Sequence, residues 1–198
     1  MKATQAMNKD NISPTLNIAA IDKNWTLFLD RDGVINEETL GQYVLNWQQF
    51  IFSKDALKAF HIFAQRFGRV LIVTNQRGVS KRLMTEEDLT DIHKEMQKEI
   101  EAAQGKIDRI YYCTDLDDAC FYRKPNPGMA MQAKEDFPEI DFTKSIMIGN
   151  KPSDMKFGRA AGMFTVFVTS TNPDQAFPHP DIDMIVPSLY AFAQALKP

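Results

Sequence analysis

Residues 25–38 read WTLFLDRDGVINEE, an apolar run that stops at two aspartates one residue apart, Asp30 and Asp32, followed by Gly33. A short apolar run bounded by polar residues is typical of a strand buried on both faces. Residues two apart on an extended chain point to the same side, so both carboxylates can flank one reacting centre beside a sharp glycine turn. Such a pair suits a nucleophile and a general acid and base.

Strand and helix patterns alternate along the rest of the chain. Strand-like apolar runs are predicted at 25–29, 70–73, 108–112, 145–148, 164–168 and 184–186. Helices are predicted to begin near Ser53, Thr85 and Asn126, another ends at Gly162, and a last one lies at 189–196. Short buried strands separated by helices predict an α/β fold with a doubly wound parallel sheet covered on both faces.

Length and charge restrict the class of protein. The 198 residues suffice for one domain, which we predict over 23–198 after a flexible extension over 1–22. The net charge of −3, without long runs of like charge, predicts neither a nucleic-acid nor a membrane partner. The sequence has no apolar stretch long enough for a membrane span or a secretion signal, so we expect a cytoplasmic protein, as a monomer.

Polar residues follow each of the first four predicted strands. In a doubly wound sheet, ligands bind beyond the carboxyl ends of the strands, so these residues are candidates for one site. They are Asp30 and Asp32, then Thr74, Asn75 and Gln76, then Arg123 and Lys124, then Gly149, Asn150, Lys151 and Asp154. Together they offer oxygen ligands, a hydroxyl and cations, which predicts a site for a phosphate and a hard metal ion such as Mg²⁺.

These motifs resemble those of the haloacid dehalogenase superfamily of phosphotransferases, from about residue 25 to the C-terminus. The strings DRDGVIN, VTNQRGV and RKPNPGM resemble more narrowly the capless branch that contains histidinol-phosphate phosphatase and D-glycero-D-manno-heptose 1,7-bisphosphate phosphatase. The resemblance implies a Rossmann-like core without a separate cap domain, for which segment 33–52 is too short. It also implies a Mg²⁺-dependent phosphomonoesterase of a small phosphorylated metabolite, first the heptose bisphosphate and second histidinol phosphate.

The resemblance also implies residue roles. Asp30 would be the nucleophile and a Mg²⁺ ligand, and Asp32 the general acid and base that also offers its backbone carbonyl to the metal. The other implied roles are phosphate binding for Thr74 and Lys124, substrate contact for Arg123, metal binding for Asn150 and, through a bound water, Asp154, and a rim position for Lys151. From their positions after the second strand, we add Asn75 as a candidate for phosphate binding and Arg77 as a candidate for substrate contact.

The fourth motif departs from the family pattern, which normally begins Gly-Asp, because this chain has Gly149 and Asn150. The amide oxygen can still bind a metal, but the site loses a negative charge and should bind Mg²⁺ more weakly. A catalytically weakened relative that binds phosphorylated ligands or a partner is therefore an alternative. A polynucleotide 3′-phosphatase would use the same phosphoryl-transfer chemistry, but the negative net charge of the chain argues against this alternative.

Two further segments bear on cofactor and substrate. Related enzymes carry a structural Zn²⁺ loop with four ligands, of which this chain keeps only Cys113 and Cys120, so no structural Zn²⁺ is expected. A basic cluster formed by Arg77, Lys81 and Arg82 follows the second strand. It favours a second anionic group, as in a bisphosphorylated sugar, and the alternative is a solvated basic turn.

Overall fold

The computed structural model describes residues 16–38 and 41–197. The strands are β1 (Thr26–Leu29), β2 (Arg69–Asn75), β3 (Arg109–Cys113), β4 (Ser145–Gly149), β5 (Phe164–Val168) and β6 (Met184–Val186). The α-helices are α1 (Ala56–Arg66), α2 (Arg77–Ser80), α3 (Glu86–Ala102), α4 (Gly128–Asp136), α5 (Pro152–Ala161) and α6 (Leu189–Ala195). Among them, none is both long and apolar enough to cross a membrane.

The six strands form one parallel sheet in the order β3-β2-β1-β4-β5-β6. The chain runs outward from β1 to β3 and then crosses back to β4 on the other side of β1. Leu29 at the end of β1 pairs with Ile72 of β2 and Ile148 of β4, so these strands end at one level. The predicted doubly wound α/β fold is confirmed, and its switch point lies beside β1.

Alternate side chains of β1 pack into different core layers. Leu27 and Leu29 belong to the larger cluster with α1, α3 and α6, while Phe28 packs on the opposite face with residues of α4 and α5. All three are fully buried. This central position explains why the strand is apolar throughout, and it holds the polar residues after Leu29 rigidly at the sheet edge.

Most predicted element boundaries agree with the structure within a few residues. The predicted start of α3 at Thr85 is confirmed, and a capping box forms there. Thr85 Oγ1 accepts the backbone N–H of Asp88 at 3.0 Å, while an Asp88 oxygen accepts that of Thr85 at 2.8 Å. Helix α1 begins at Ala56 rather than near Ser53, and α4 begins at Gly128. The single turn of α2 was not predicted, because so short a helix shows no periodicity.

The predicted flexible extension over 1–22 needs correction at its end. Leu16 and Ile21 are buried in the larger core cluster, so the packed chain includes residues before 23. The rest of that prediction, residues 1–15, lies outside the described residues. After β1, the described part of segment 33–52 contains a 3₁₀ turn, Trp47–Gln49, and packs against the core.

Candidate active site

Three buried charged side chains form the centre of the site. Lys124 Nζ lies 2.8 Å from Asp30 Oδ1 and 2.7 Å from Asp154 Oδ1. Burial lowers the pKa of Lys124, but the two carboxylates outweigh burial and hold this pKa above its ordinary value. Burial, reinforced by the charge of Asp154, raises the pKa of Asp30 against the opposing effect of Lys124. The ammonium group therefore stays charged and holds two carboxylates together in the interior.

Backbone contacts fix this central group to the ends of β1 and β4. The backbone N–H of Asp30 donates to the carbonyl of Ile148 at 2.9 Å. Asp154 lies in the first turn of α5, where its Oδ2 accepts the backbone N–H groups of Asn150 at 3.2 Å and Lys151 at 3.0 Å. A carboxylate is favoured at a helix N-terminus, so Asp154 both caps α5 and orients Lys124.

Asp32 has a different set of partners. Arg31 Nη2 donates to both carboxylate oxygens at 2.9 and 3.0 Å, while Asn36 and Gln76 donate through their amides at 3.0 and 2.9 Å. Burial raises the pKa of Asp32, but the Arg31 charge and these hydrogen bonds outweigh burial and hold the pKa below its ordinary value. Asp32 is therefore ionised at neutral pH.

Arg31 connects Asp32 to a histidine that sequence reasoning did not place in the site. The arginine is 1% exposed, and its Nη1 lies 3.2 Å from His93 Nε2. Burial, with the Arg31 charge, lowers the pKa of His93 to about 3, so the ring is neutral and can accept this hydrogen bond. The available signal was the position of His93 beside Ile92 on the buried stripe of α3.

Thr74 and Asn75 lie at the end of β2, as predicted, but their side chains have different hydrogen-bond partners. Thr74 Oγ1 accepts from Gln76 Nε2 at 2.8 Å, which leaves the hydroxyl hydrogen free to donate. Asn75 Oδ1 accepts the backbone N–H of Lys124 at 3.1 Å, and its Nδ2 donates to the Lys124 carbonyl at 3.0 Å. The Asn75 side chain thus fixes the segment that carries Lys124, and the second hydrogen of its Nδ2 can still donate to a phosphate.

Asn150 follows β4 and contacts a residue that sequence reasoning missed, Glu38. The Asn150 amide nitrogen donates to Glu38 Oε2 at 3.0 Å and to Thr171 Oγ1 at 2.7 Å. Lys151 Nζ lies 2.6 Å from the other Glu38 oxygen. A glutamate in an irregular loop gives no periodic signal, and its partners lie far away in the sequence, so only the fold brings these residues together.

The two arginines predicted to contact substrate share one carboxylate in the loop after β3. Arg123 Nε donates to Asp118 Oδ1 at 2.9 Å, and Arg77 Nη2 bonds the same oxygen. Lys81 instead donates to the Tyr43 hydroxyl at 2.8 Å. The predicted basic cluster is therefore divided between different partners rather than directed at one point.

The cysteine loop keeps two thiols close together. Cys113 Sγ and Cys120 Sγ are 3.9 Å apart and unbridged. At the other two positions of the family loop, Asp115 accepts the backbone N–H of Asp117 at 2.9 Å and Tyr122 is exposed. Within residues 16–38 and 41–197, no three acidic, histidine or cysteine side chains converge on a metal position. That no Zn²⁺ binds here stays a prediction.

A cleft of about 580 Å³ opens beside Asp32. Its polar lining includes Gln42, Tyr43, Gln49, Gln76 and Lys151, and its apolar lining includes Val44, Leu45, Ile51 and Leu83. The carboxylate of Asp32 lines this cleft and can therefore exchange a proton with a group bound there. A mixed polar and apolar wall of this size suits a small hydroxylated molecule.

The donor set fits a divalent cation that prefers oxygen. Asn150 Oδ1 is buried and, among the described residues, accepts no hydrogen bond. This oxygen and the Asp30 carboxylate follow the neighbouring strands β4 and β1. Carboxylate and amide oxygens are the ligand types that Mg²⁺ prefers, although Asn150 brings no charge. The residues therefore fit Mg²⁺ with one negative charge fewer than the family pattern.

Comparisons with known proteins agree with this geometry. The HAD-hydrolase-like family model matches residues 121–192. The D-glycero-D-manno-heptose-1,7-bisphosphate 7-phosphatase of Chlorobaculum tepidum is 32% identical, over 76% of this chain and 81% of the relative. The D-glycero-alpha-D-manno-heptose-1,7-bisphosphate 7-phosphatase of Campylobacter jejuni is 36% identical, over 75% of this chain and 84% of the relative.

A solved structure shows the same likeness in three dimensions. The D,D-heptose 1,7-bisphosphate phosphatase from B. bronchiseptica, complexed with magnesium and phosphate, has a TM-score of 0.78 and 26% identity. The match covers 87% of this chain and 97% of that one. Sequence, fold and site geometry agree, so the chain belongs to the haloacid dehalogenase superfamily, as a phosphatase of its heptose bisphosphate phosphatase branch.

Proposed function

We propose that this phosphatase removes the 7-phosphate of D-glycero-D-manno-heptose 1,7-bisphosphate, with Mg²⁺, as a cytoplasmic monomer. The observation that carries the proposal is the placement of Asp30 and Asp32 at the switch point of the sheet, with Lys124 bound to Asp30. The named function of relatives that are 32% and 36% identical supports the choice of substrate.

Asp30 would act as the nucleophile on phosphorus. Its carboxylate oxygen forms a bond to phosphorus while the bond to the sugar oxygen breaks, which leaves an aspartyl-phosphate and the sugar alkoxide. Lys124, already 2.8 Å from Asp30 Oδ1, offsets negative charge on the phosphoryl oxygens, and the free Thr74 hydroxyl hydrogen can donate to one of them. Asn75 would act on Lys124 as a positioning residue.

Asp32 would move protons at the mouth of the cleft. In the first half of the reaction Asp32, ionised in the free protein, would take up a proton from the solvent when the substrate binds and give it to the leaving alkoxide. In the second half it takes a proton from the water that attacks phosphorus, and the Asp30 carboxylate is regenerated. Its lowered pKa favours the ionised form that this second half needs.

The remaining roles belong to the metal ligands and to the residues around the edge of the site. Asp30, the backbone carbonyl of Asp32 and Asn150 Oδ1 would hold Mg²⁺, with Asp154 acting through a bound water. The bound ion would offset charge on the transferred phosphoryl group. Arg77 at the start of α2 and Arg123 in the loop after β3 would contact the remainder of the substrate, and Lys151 would stay at the rim with Glu38.

Phosphate release from a substrate panel tests the proposal. The panel contains the heptose bisphosphate, histidinol phosphate, other sugar phosphates and a 3′-phosphorylated oligonucleotide, each with Mg²⁺ and with chelator. Asp30→Asn is the blank, and Asp91→Asn on the exposed face of α3 is the matched control. We expect metal-dependent release from the heptose bisphosphate, with ³¹P NMR showing that the 1-phosphate remains.

Other outcomes distinguish the alternatives. Preferred release from histidinol phosphate would reassign the substrate and keep the mechanism. Release no faster than from Asp30→Asn at millimolar Mg²⁺ would contradict the enzyme assignment and favour a relative that binds without turnover. Size-exclusion chromatography tests the monomer.

A further inference from the structure

The Asn150 side chain is held in one orientation. Its amide nitrogen has two hydrogens, and the two acceptors Glu38 Oε2 and Thr171 Oγ1 lie 3.0 and 2.7 Å away. Its oxygen is buried and accepts no hydrogen bond from the described residues. Because a buried polar atom normally has a partner, this free oxygen indicates a ligand position.

The turn after β1 fixes the same side chains from the other side. Gly33 has φ +82, and a Cβ on it would lie 2.1 Å from Asn150 Nδ2 and 2.8 Å from Glu38 Oε2. The amide and the carboxylate therefore rest directly on the backbone that follows Asp30 and Asp32. A side chain at position 33 would displace them, so the glycine permits this contact as well as the turn.

We propose that Glu38 is a positioning residue for the metal. Together with Thr171 it orients the Asn150 amide so that Oδ1 serves as a neutral ligand for a divalent cation, and its carboxylate supplies the negative charge that Asn150 lacks. Lys151 holds the second Glu38 oxygen at 2.6 Å and so fixes the carboxylate itself. This inference rests on the proposed Mg²⁺-dependent function and adds a residue to it.

The contact between Asn150 and Glu38 also predicts how substitutions at these two positions combine. In Asn150→Asp, a carboxylate oxygen would replace the amide nitrogen 3.0 Å from Glu38 Oε2, so two negative charges would face each other. We therefore expect Asn150→Asp to raise Mg²⁺ affinity more in the Glu38→Gln background than in the wild type. Additive effects of the two substitutions would contradict the direct contact.

Calorimetric titration of Mg²⁺ into the full chain without substrate tests the role of Glu38 independently of turnover. We expect Glu38→Gln to weaken Mg²⁺ binding about 10- to 100-fold, the usual effect of removing a group that orients a metal ligand. Glu37→Gln is the matched control, because it removes the same charge from the neighbouring exposed residue and should change the affinity little.

The outcomes separate this inference from the proposed function. Equal weakening by Glu38→Gln and Glu37→Gln would overturn the positioning role alone. A wild-type protein that binds no Mg²⁺ would overturn both the positioning role and the metal requirement. If thermal unfolding in chelator shows that Glu38→Gln does not fold, Mg²⁺ binding is measured on Thr171→Val instead. It removes the other acceptor and should weaken Mg²⁺ binding, and unchanged binding would overturn the proposal.

Discussion

Asp30 and Asp32 are two residues apart in one turn, yet their surroundings are opposite. Asp30 is buried against one ammonium group that it shares with a second carboxylate, Asp154. Asp32 lies at the cleft and receives Arg31 and two amides. Burial and Asp154 raise the pKa of Asp30, whereas for Asp32 burial is outweighed by Arg31 and the pKa falls.

The difference shows that depth and partners, rather than residue type, divide the chemistry between two identical side chains. A carboxylate that shares its ammonium partner with a second carboxylate is ready for a further cation. A carboxylate already surrounded by donors, at the mouth of a cleft, is suited to exchange protons with the group bound there. Substitutions on either side of the pair should separate the two roles.

The largest expected difference between the two aspartates should appear when substrates with two different leaving groups are compared. Asp30→Asn should reduce phosphate release to background for any substrate, because no nucleophile remains. Asp32→Asn should lower kcat by about 10² to 10⁴ for a sugar phosphate, whose alkoxide needs a proton, and much less in the burst with p-nitrophenyl phosphate, whose leaving group needs none. Stopped-flow measurement of the burst checks this. Equal losses with both substrates would remove Asp32 from proton transfer.

Removal of the shared ammonium group should destabilise the Asp30 side of the site. Lys124→Met leaves two buried carboxylates unpaired, which should cost about 3–5 kcal/mol of unfolding free energy at pH 7. Burial and Asp154 already raise the pKa of Asp30, and without Lys124 this pKa would rise further, so the folded form binds more protons than the unfolded chain and the loss should shrink as pH falls. Urea unfolding at pH 7 and pH 5 measures this.

A matched variant is Lys58→Met, which removes an exposed lysine paired with Asp55 and should leave the urea midpoint nearly unchanged. A loss in Lys124→Met that does not depend on pH would point to packing rather than charge.

Removal of the Arg31 guanidinium beside Asp32 should shift the acidic limb of the pH profile of kcat. Without Arg31, only the Gln76 and Asn36 amides would oppose burial, and the pKa of Asp32 would rise. The ionised form accepts the proton from water, so the acidic limb of kcat should shift upward in Arg31→Gln. The pH profile of Arg109→Gln, an exposed arginine on β3, gives the reference. An unmoved limb would mean that Arg31 does not set the Asp32 pKa.

The last effect appears only below neutral pH and concerns His93 behind Arg31. Its pKa of about 3 lies below the unfolded value near 6.5, so the unfolded chain binds a proton that the folded chain does not. Stability should be fully present above pH 6.5 and fall by about 1.4 kcal/mol per pH unit between 6.5 and 3. His93→Gln should flatten this slope in urea unfolding, with pH 8 as the reference. An unchanged slope would show that His93 is not the responsible group.

The sequence predicted the sheet and the strand-end residues because both depend on local patterns. Apolar runs locate buried strands, and parallel strands place their carboxyl ends at one edge, so Asp30, Thr74 and Asn150 could be grouped before any contact was known. The capping box at Thr85 was likewise local and gave the start of α3.

The partners of these residues could not be predicted in the same way. The contacts of Arg31 with His93 and of Asn150 with Glu38 join segments far apart in the chain, and no periodicity records them. Asn75 lies at the expected position, but its bonds to the backbone of Lys124 could not be read from the sequence, and its phosphate contact stays a prediction. Residue type and position therefore predicted the site, whereas side-chain orientation required the fold.

The strand order also affects the nascent chain. The central strand β1 is synthesised first, but its neighbour on one side, β4, carries residues 145–149 and emerges late. At about 5–20 residues per second, the apolar edge of β1 waits roughly 6 to 25 seconds for that partner. An unpaired apolar strand edge invites aggregation or chaperone capture, so this order predicts that the ribosome-bound intermediate is the stage at which the protein most needs assistance.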